Sequence, residues 1–463
     1  MRPASLSDAA RAVGGELVGA DGATLVRGAA VDSRRVREGD LFFALRGGVD
    51  GAAFAPEAHS CGAAATVADR PLDVPTLIVE DPLGALQLLA RWSLSQGHEH
   101  HNGSVVTIVG ITGSVGKTTT KDALAAILRA AGKKVSATEG NFNNEIGLPL
   151  TVLAADERTE VLVLEMGATH SGDIERLCHI APPQVGILTA IAPKHLESFG
   201  TLEGLAATKG ELSLALPDTG SFVSPLSVPE VATGPGKKLA RRIVFNREDA
   251  EGTDLWASGL EDSEEGLRFV AHFGDQSSEV RCPVFGTHLV QPLLAALGGA
   301  LALGLDLETG ARGLSRLRRT GLRGEVHHLR GGITVYDDSY NASPAAIAAV
   351  LRYGAEQASR RGSRFVAVLG GMFELGPCAR EYHREAGRLA AELRVDLLVC
   401  VGDEARWYAE TFPEQKILFP DAETAAEQLG EALRAGDYVV AKGSRGVGLD
   451  NLTRKLRESL ALV

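Results

Sequence analysis

The strongest chemical signal in the sequence lies at positions 112–118, where the chain has Thr-Gly-Ser-Val-Gly-Lys-Thr. Glycines in such a loop let backbone N–H groups approach phosphate oxygens, and a lysine followed by a hydroxyl residue can bind terminal phosphates and Mg²⁺. An apolar, β-branched run at 105–111 precedes the loop, and apolar residues at helical spacing follow it. The first glycine of the strict G-x-x-x-x-G-K-[ST] pattern is replaced by Ile111. The order of strand, glycine-rich loop and helix still predicts a nucleotide phosphate site.

Two further candidate groups follow neighbouring apolar runs. Glu165 closes the run 161–164, and His195 follows the run 185–191. Either residue alone is more often a surface or capping residue. Ligands of doubly wound folds, however, bind at the carboxyl ends of strands, where both residues would lie beside the phosphate loop. Their shared position therefore favours a metal site next to the phosphates.

The elements that must position these groups fall into three blocks, and a chain of 463 residues is long enough for about three domains. We predict an α/β protein with a small α+β N-terminal domain (1–100), a central P-loop-type α/β ATPase domain with a parallel sheet (103–316) and a C-terminal Rossmann-like α/β domain (317–463). Apolar runs alternating with helical segments support the last two. Within the central block, alternating stretches between 220 and 285 predict an antiparallel insertion.

Composition excludes several classes of protein. Lys plus Arg is 47 and Asp plus Glu is 59, a formal net charge of −12, which argues against general affinity for nucleic acid or anionic lipid. The five cysteines are far apart and form no C-x-x-C pair, which disfavours a disulfide framework or a structural zinc site. No apolar run reaches the roughly 20 residues that span a bilayer. We therefore expect a cytoplasmic protein without membrane insertion.

Motifs along most of the chain resemble those of the Mur ligase superfamily. The matching segments are 112–118, the asparagine-rich 140–149, 165–174, 195–200, 209–211, 337–342, 374–376 with His383, and 442–445. In the N-terminal block, 32–34, 39–42 and 50–51 resemble the uridine-binding module of the family. Two positions differ from the family pattern: Gln291 stands where an asparagine near the nucleotide is usual, and Ala52 replaces a histidine.

The resemblance implies ATP-dependent amide formation through an acyl phosphate. It is greatest to members that join D-alanyl-D-alanine to UDP-N-acetylmuramoyl-tripeptide, and these are the substrates we expect, with the chain acting as a monomer. Other hypotheses are the ligase that adds the third peptide residue, a folate-glutamylating enzyme and a non-catalytic nucleotide-binding scaffold. The diaminopimelate-adding form of the first enzyme carries a D-N-P-R motif in its last domain, and this sequence lacks that motif. The segment 32–34, which resembles part of the uridine-binding module, argues against the folate enzyme. Retention of Lys117, Glu165, His195 and Lys209 argues against the scaffold.

The resemblance also implies roles for individual residues. The implied catalytic residues are Lys117, Glu165, His195 and Lys209. The implied ATP-binding residues are Thr112, Gly113, Ser114, Val115, Gly116, Lys117, Thr118, Thr119, Asn144, Gln291, Arg323 and Asp338. The implied substrate-binding residues are Ser33, Arg34, Asn141, Asn143, Thr169, His170 and Asn341. The implied metal ligands, for two Mg²⁺ ions, are Thr118, Glu165, His195 and a Lys209 carbamylated by CO₂.

Overall fold

The computed structural model describes residues 1–96, 106–193, 196–263, 265–317 and 324–460, except for the side chain at 196. The N-terminal elements are β1 (Ala4–Ser5), α1 (Leu6–Val13), β2 (Glu16–Val18), β3 (Leu25–Val26), β4 (Gly28–Ala30), β5 (Asp40–Phe43), α2 (Ala55–Ser60), β6 (Ala65–Ala68), β7 (Thr76–Ile78) and α3 (Pro82–Ser95). Their main sheet has the order β2-β7-β6-β5-β4. β4 to β7 pair in parallel, and only β2 is antiparallel to its neighbour. This small sheet is therefore mostly parallel, with one antiparallel edge strand.

The central elements alternate strands and helices around the phosphate loop. They are β8 (Thr107–Thr112), α4 (Lys117–Ala130), β9 (Val135–Ala137), α5 (Gly147–Ala154), β10 (Val161–Glu165), α6 (Asp173–Ile180), β11 (Val185–Leu188), α7 (Leu196–Phe199), α8 (Leu202–Ala215), β12 (Ser221–Pro225), β13 (Arg241–Phe245), β14 (Leu255–Ser263), β15 (Gly266–Phe273), β16 (Gln276–Cys282), α9 (Val290–Ala302) and α10 (Leu307–Leu314). They share one sheet of order β16-β15-β14-β13-β12-β11-β8-β10-β9.

The pairing in this sheet corrects one prediction. β9 to β14 all pair in parallel, and only β14-β15-β16 is antiparallel. The segment 220–285 is thus not an antiparallel insertion throughout, because its first strands continue the parallel sheet and the hairpins extend the same edge. Alternating hydrophobicity shows that a strand has one wet face, but it does not identify the strand's neighbour.

Helices cover both faces of the parallel part of the sheet. On one face Leu124 of α4 and Leu297 of α9 join the core that contains Val109 and Ile187. On the other face, α5, α6 and α8 form a core that is continuous with the N-terminal sheet and its helices. Because both faces are dry, β8, β10 and β11 are almost wholly apolar, as parallel strands between two helix layers must be.

The C-terminal elements form a third sheet. They are β17 (Glu325–His328), β18 (Thr334–Asp337), α11 (Pro344–Arg361), β19 (Phe365–Gly370), α12 (Ala379–Glu392), β20 (Leu397–Val401), α13 (Arg406–Ala409), β21 (Lys416–Phe419), α14 (Ala422–Ala432), β22 (Tyr438–Lys442) and α15 (Leu449–Ser459). The order is β17-β18-β22-β19-β20-β21, parallel except for β17. α11 and α12 cover one face and α14 and α15 the other. The helices that follow the neighbouring strands β18 and β22 are α11 and α15, which lie on opposite faces of the sheet. This divergence opens a crevice at the carboxyl ends of the two strands.

The five cysteines are all free thiols. Within the described ranges, no helix is long and apolar enough to cross a membrane.

Candidate functional site

The phosphate loop has a backbone that requires glycine at two positions. Gly113 has φ +141° and Gly116 has φ +88°, both in the region that favours glycine. A Cβ on Gly113 would lie 2.1 Å from Oγ1 of Thr189, which follows β11. α4 starts directly after the loop, and no side chain of the described residues caps its first turn. The loop therefore presents the N–H groups of a helix N-terminus, which is a favourable arrangement for phosphate.

Glu165 holds two neighbouring side chains at the end of β10. Oγ1 of Thr118 donates to Oε2 of Glu165 at 2.7 Å, and Nδ2 of Asn143 donates to Oε1 at 2.8 Å. The backbone N–H of Glu165 donates to Oγ1 of Thr138 at 2.9 Å, which fixes the strand end. Glu165 is only 3% exposed. The carboxylate and the hydroxyl are thus fixed beside Lys117, whose Nζ donates to the carbonyl oxygen of Gly113 at 2.7 Å.

Two cavities meet at the phosphate loop. The smaller cavity has a volume of about 250 Å³ and the larger about 550 Å³. Both contact Ser114, Lys117 and Asn143. The larger cavity extends toward the C-terminal sheet, whereas the smaller extends toward α6 and α8. A group transferred from one cavity to the other would pass Lys117.

The smaller cavity contains a buried lysine. Lys209 of α8 is 3% exposed, and its Nζ lies 3.5 Å from the carbonyl oxygen of Ala168 and 5.7 Å from the ring centre of Phe199. Two residues further along α8, the Glu211 carboxylate accepts two backbone N–H groups at the start of α6. They are those of Gly172 at 2.8 Å and Glu175 at 3.0 Å. One helix thus places Lys209 in the cavity and anchors the cavity's opposite wall.

The far wall of the larger cavity comes from the C-terminal sheet. Nζ of Lys442, at the end of β22, donates to Oδ2 of Asp338 at 2.5 Å and to the carbonyl oxygen of Asn341 at 2.9 Å. His288, directly before α9, and Gln291, in the first turn of α9, line the same cavity. Burial lowers the pKa of His288 to about 4, so this imidazole is neutral at physiological pH.

Most of the predicted residues line one of the two cavities. Those on the larger cavity are Ser114, Val115, Gly116, Lys117, Thr118, Thr119, Asn141, Asn143, Glu165, Gln291, Asp338 and Asn341. Those on the smaller cavity are Gly113, Ser114, Lys117, Asn143, Asn144, Thr169 and Lys209. His195 and Arg323 lie outside the described residues.

Other predicted residues have different surroundings. Thr112 is fully buried, and its hydroxyl donates to the carbonyl oxygen of Met166 at 2.8 Å, so this side chain supports the loop rather than facing a cavity. Asn144 lines the smaller cavity, not the larger, and its Oδ1 accepts the N–H of Gly147 at 2.9 Å at the start of α5. His170 is exposed, with Nδ1 3.1 Å from Oγ1 of Thr169.

The two predicted residues of the N-terminal block, in the short 3-10 helix Ser33–Arg35, line neither cavity. Ser33 donates to Oε2 of Glu57 at 2.5 Å, and Arg34 makes paired hydrogen bonds to the Asp32 carboxylate at 2.9 and 2.7 Å. Neither residue contacts the larger or the smaller cavity. Any contact they make with a substrate is therefore outside these two cavities.

No role was predicted for Lys442 or His288. The available signal for Lys442 was its position in the motif 442–445, directly after an apolar run. The available signal for His288 was its position three residues before Gln291. The described residues contain no group of three or more His, Cys, Asp or Glu side chains arranged to hold a metal. Thr118 and Glu165 nevertheless provide two adjacent oxygen donors.

Comparisons with known proteins agree with this geometry. Residues 111–300 match the model of the Mur ligase middle domain, and residues 322–445 match that of the Mur ligase glutamate ligase domain. A relative from Mycobacterium tuberculosis, named UDP-N-acetylmuramoyl-tripeptide–D-alanyl-D-alanine ligase, is 37% identical over 90% of this chain and 89% of its own. A crystal structure of MurF from Acinetobacter baumannii has a TM-score of 0.86 at 28% identity, covering 98% of this chain and 99% of that one. The MurF ligase of Thermotoga maritima in complex with ADP has a TM-score of 0.79 at 31% identity, covering 94% and 97%. The chain belongs to the Mur ligase family.

Proposed function

We propose that the chain is an ATP-dependent ligase that joins D-alanyl-D-alanine to UDP-N-acetylmuramoyl-tripeptide and releases ADP and phosphate. The observation that carries the proposal is the contact of Lys117 with both cavities, because a phosphoryl group has to move from a nucleotide to a peptide carboxylate. The names of the relative from Mycobacterium tuberculosis and of the structural neighbours support the choice of substrates.

The larger cavity is the proposed nucleotide site. Its phosphates would bind the loop N–H groups and Lys117, while Gln291 and Asp338 would contact the adenosine. The ADP bound to the Thermotoga maritima neighbour supports a nucleotide in this family. The smaller cavity would receive the C-terminal carboxylate of the tripeptide, close to Thr169 and Lys209.

The reaction then has two steps. A carboxylate oxygen of the tripeptide attacks the γ-phosphorus, which breaks its bond to ADP and gives an acyl phosphate. The amine of D-alanyl-D-alanine attacks the acyl carbon, and collapse of the tetrahedral intermediate forms the amide, expels phosphate and leaves the amine proton to solvent. Lys117 and the loop N–H groups hold the transferred group and neutralise its charge, which is the main requirement of phosphoryl transfer.

The residues present fit Mg²⁺. Thr118 and Glu165 place a hydroxyl and a carboxylate oxygen 2.7 Å apart beside the loop, and oxygen ligands of this kind suit a hard divalent cation. Mg²⁺ would neutralise phosphate charge as transfer proceeds. We assign Thr118 and Glu165 as its ligands, with His195 as a further candidate.

A second Mg²⁺ would need an additional negative group in the smaller cavity. A carbamate on Nζ of Lys209 is the proposed source, since the lysine is 3% exposed and faces that cavity. Carbon-13 NMR after addition of labelled bicarbonate should show one carbamate signal that is lost in Lys209→Arg. Lys121→Arg is the control, because Lys121 is equally buried but its Nζ donates to the carbonyl oxygen of Thr138 at 2.7 Å. A signal that persists in Lys209→Arg would refute the carbamate.

The remaining assignments follow from the arrangement of the sheets. Residues 1–100 would bind the UDP-sugar through Ser33 and Arg34, residues 103–316 would bind ATP, and residues 317–463 would complete the nucleotide site and present the dipeptide. Asn141, Asn143, His170 and Asn341 are proposed peptide contacts. We propose a monomer, to be checked by light scattering.

Phosphate release tests the function directly. The protein is incubated with ATP, Mg²⁺ and UDP-N-acetylmuramoyl-tripeptide, with and without D-alanyl-D-alanine, and the pentapeptide product is followed by mass spectrometry. Release and product that both require the dipeptide are expected. Addition of a free amino acid to a UDP-sugar dipeptide would transfer the assignment to the preceding ligase. ATP binding without turnover on any acceptor would instead favour a scaffold.

A further inference from the structure

A buried carboxylate lies outside the proposed machinery, on the antiparallel extension of the central sheet. Asp262 of β14 is 4% exposed, and its Oδ2 accepts the backbone N–H of Gly286 at 2.9 Å. Within the described residues its Oδ1 is buried and has no hydrogen-bond partner. Burying an ionised carboxylate that has one neutral donor and one unused oxygen costs free energy of folding.

Gly286 is the first residue of the segment that forms the adenosine side of the larger cavity. Its φ is +104°, and a Cβ there would lie 2.3 Å from Cε1 of His288. A short 3-10 helix, Thr287–Leu289, follows and runs into α9. His288 and Gln291 of this segment line the cavity. The direction in which the segment leaves Gly286 therefore decides where these side chains lie.

Asp262 and Phe285, the residue directly before this segment, both contact the C-terminal elements. Nη1 of Arg360, on α11, donates to the carbonyl oxygen of Asp262 at 2.5 Å. The Phe285 side chain packs in the core beneath α11 and α12, and its carbonyl oxygen accepts the hydroxyl of Tyr336 at 3.3 Å. Asp262 thus connects the adenosine-side segment to the part of the molecule that supplies Asp338.

We propose that Asp262 is a positioning residue for the nucleotide. Through the N–H of Gly286, its carboxylate fixes the segment 286–291 so that Gln291 and His288 face the adenosine. The proposal rests on the proposed ATP site. It requires Asp262 to touch neither ATP nor the peptide substrates, so its removal should change nucleotide affinity and leave peptide affinity unaltered.

Ionisation of Asp262 provides an independent readout. Burial raises its pKa to about 6, with nearby Glu356 acting in the same direction and Arg360 opposing it. The titratable and charged groups that interact with its carboxylate are Tyr353, Glu356, Arg360 and Tyr438. An ionised carboxylate accepts the Gly286 N–H more strongly than a neutral acid does. Nucleotide affinity should therefore fall as the pH decreases through about 6 and the carboxyl gains a proton.

The test measures binding of ADP with Mg²⁺ by calorimetry in the full-length protein. Asp262→Ala should weaken ADP binding about tenfold at neutral pH, the usual effect of losing one hydrogen bond to a charged group. Asp262→Asn keeps an acceptor oxygen, so it should weaken binding by only about threefold or less and should lack the loss of affinity seen in the wild type below pH 6. The KM values for the tripeptide and dipeptide substrates should be unchanged in both variants.

Asp254→Asn is the matched control. Asp254 also accepts a backbone N–H, that of Val244 at 2.8 Å, but it is exposed and lies away from both cavities. This variant should bind ADP as the wild type does. Because any titration of ATP or ADP phosphates is common to all proteins, only the difference between wild type and Asp262→Asn is interpreted.

Several outcomes would overturn the proposal. They are wild-type ADP affinity in a folded Asp262→Ala, a pH profile of Asp262→Asn identical to that of the wild type, and equal losses for nucleotide and peptides. If Asp262→Ala does not fold, the pH profile of Asp262→Asn decides alone. Wild-type protein that binds ADP but ligates nothing would refute the proposed function while leaving this test intact.

Discussion

Replacement of Glu165 by Gln tests the centre of the site with almost no change in shape. The variant removes the negative charge that accepts hydrogen bonds from Thr118 and Asn143 at 2.7 and 2.8 Å. Loss of one preorganised electrostatic group at a transition state costs about 3–4 kcal/mol, so kcat should fall about 10²–10³-fold. The Mg²⁺ concentration needed for half-maximal activity should rise, because an amide is a weaker ligand than a carboxylate.

Stability should respond much less than activity. In the variant the amide oxygen can accept from Asn143, while the amide NH2 group faces Oγ1 of Thr118, which then has to accept instead of donate. The two altered hydrogen bonds together cost about 2 kcal/mol. A buried neutral amide, however, avoids the desolvation cost of a carboxylate that is 3% exposed. The two effects offset each other, so the melting midpoint should move by less than about 4 °C.

The assay is ATP-dependent phosphate release over a Mg²⁺ titration, with melting measured on the same samples. Glu160→Gln is the matched control: it lies directly before β10, at the end opposite Glu165, where its carboxylate accepts the N–H of Lys134 at 2.8 Å. That variant should keep activity within about twofold, the range expected for a surface change. Wild-type kcat and Mg²⁺ dependence in Glu165→Gln would refute the assignment of Glu165 to the metal and phosphate.

Three further predictions concern the loop and the walls of the larger cavity. Gly113→Ala should reduce ADP affinity by more than about tenfold in calorimetry. The added Cβ would lie 2.1 Å from Oγ1 of Thr189, so the loop would have to move. Unchanged affinity would show that the loop tolerates a side chain. Lys442→Met should lower the free energy of unfolding by about 3–5 kcal/mol in denaturant melts, because it leaves the Asp338 carboxylate without its 2.5 Å partner. Adding Asp338→Asn should recover part of this loss. If the effects of the two substitutions were strictly additive, the two side chains would not stabilise each other. Asp262→Asn should raise the free energy of unfolding by up to about 3 kcal/mol at about pH 8 and by almost nothing near pH 4. The sign follows because the folded carboxyl holds its proton to about pH 6 while the unfolded one loses it near 3.8, so burial opposes folding above that window; equal gains at both pH values would show that the charge is not the cause.

Local and contiguous features were predictable from the sequence. The run 161–164 became β10, Val161–Glu165, and the run 185–191 contains β11, Val185–Leu188. Such strands are buried on both faces, so their apolar character is continuous and their ends coincide with the first polar residue. The phosphate loop was equally accessible, because all of its chemistry lies in seven consecutive residues.

Pairing between distant segments was not predictable in the same way. β12 and β13 were interpreted as part of an antiparallel insertion, yet both join the parallel sheet. A strand's own pattern specifies which of its faces is dry, whereas its direction relative to a neighbour depends on the path of the connecting chain. The same limit applies to the small N-terminal sheet, whose parallel crossovers were not predicted.

The structure also separates residues that carry chemistry from residues that place them. Thr118 meets Glu165 across 47 positions, Lys442 meets Asp338 across 104, and Asp262 meets Gly286 across 24. The first of these contacts joins two motifs, so each partner had its own sequence signal. Asp262 had none, because its role comes from burial and from one backbone N–H rather than from a side-chain type that reacts. A positioning residue of this kind is recognisable only once the fold shows that its charge has been buried without full compensation, and that cost is the reason to look for its effect on the nucleotide.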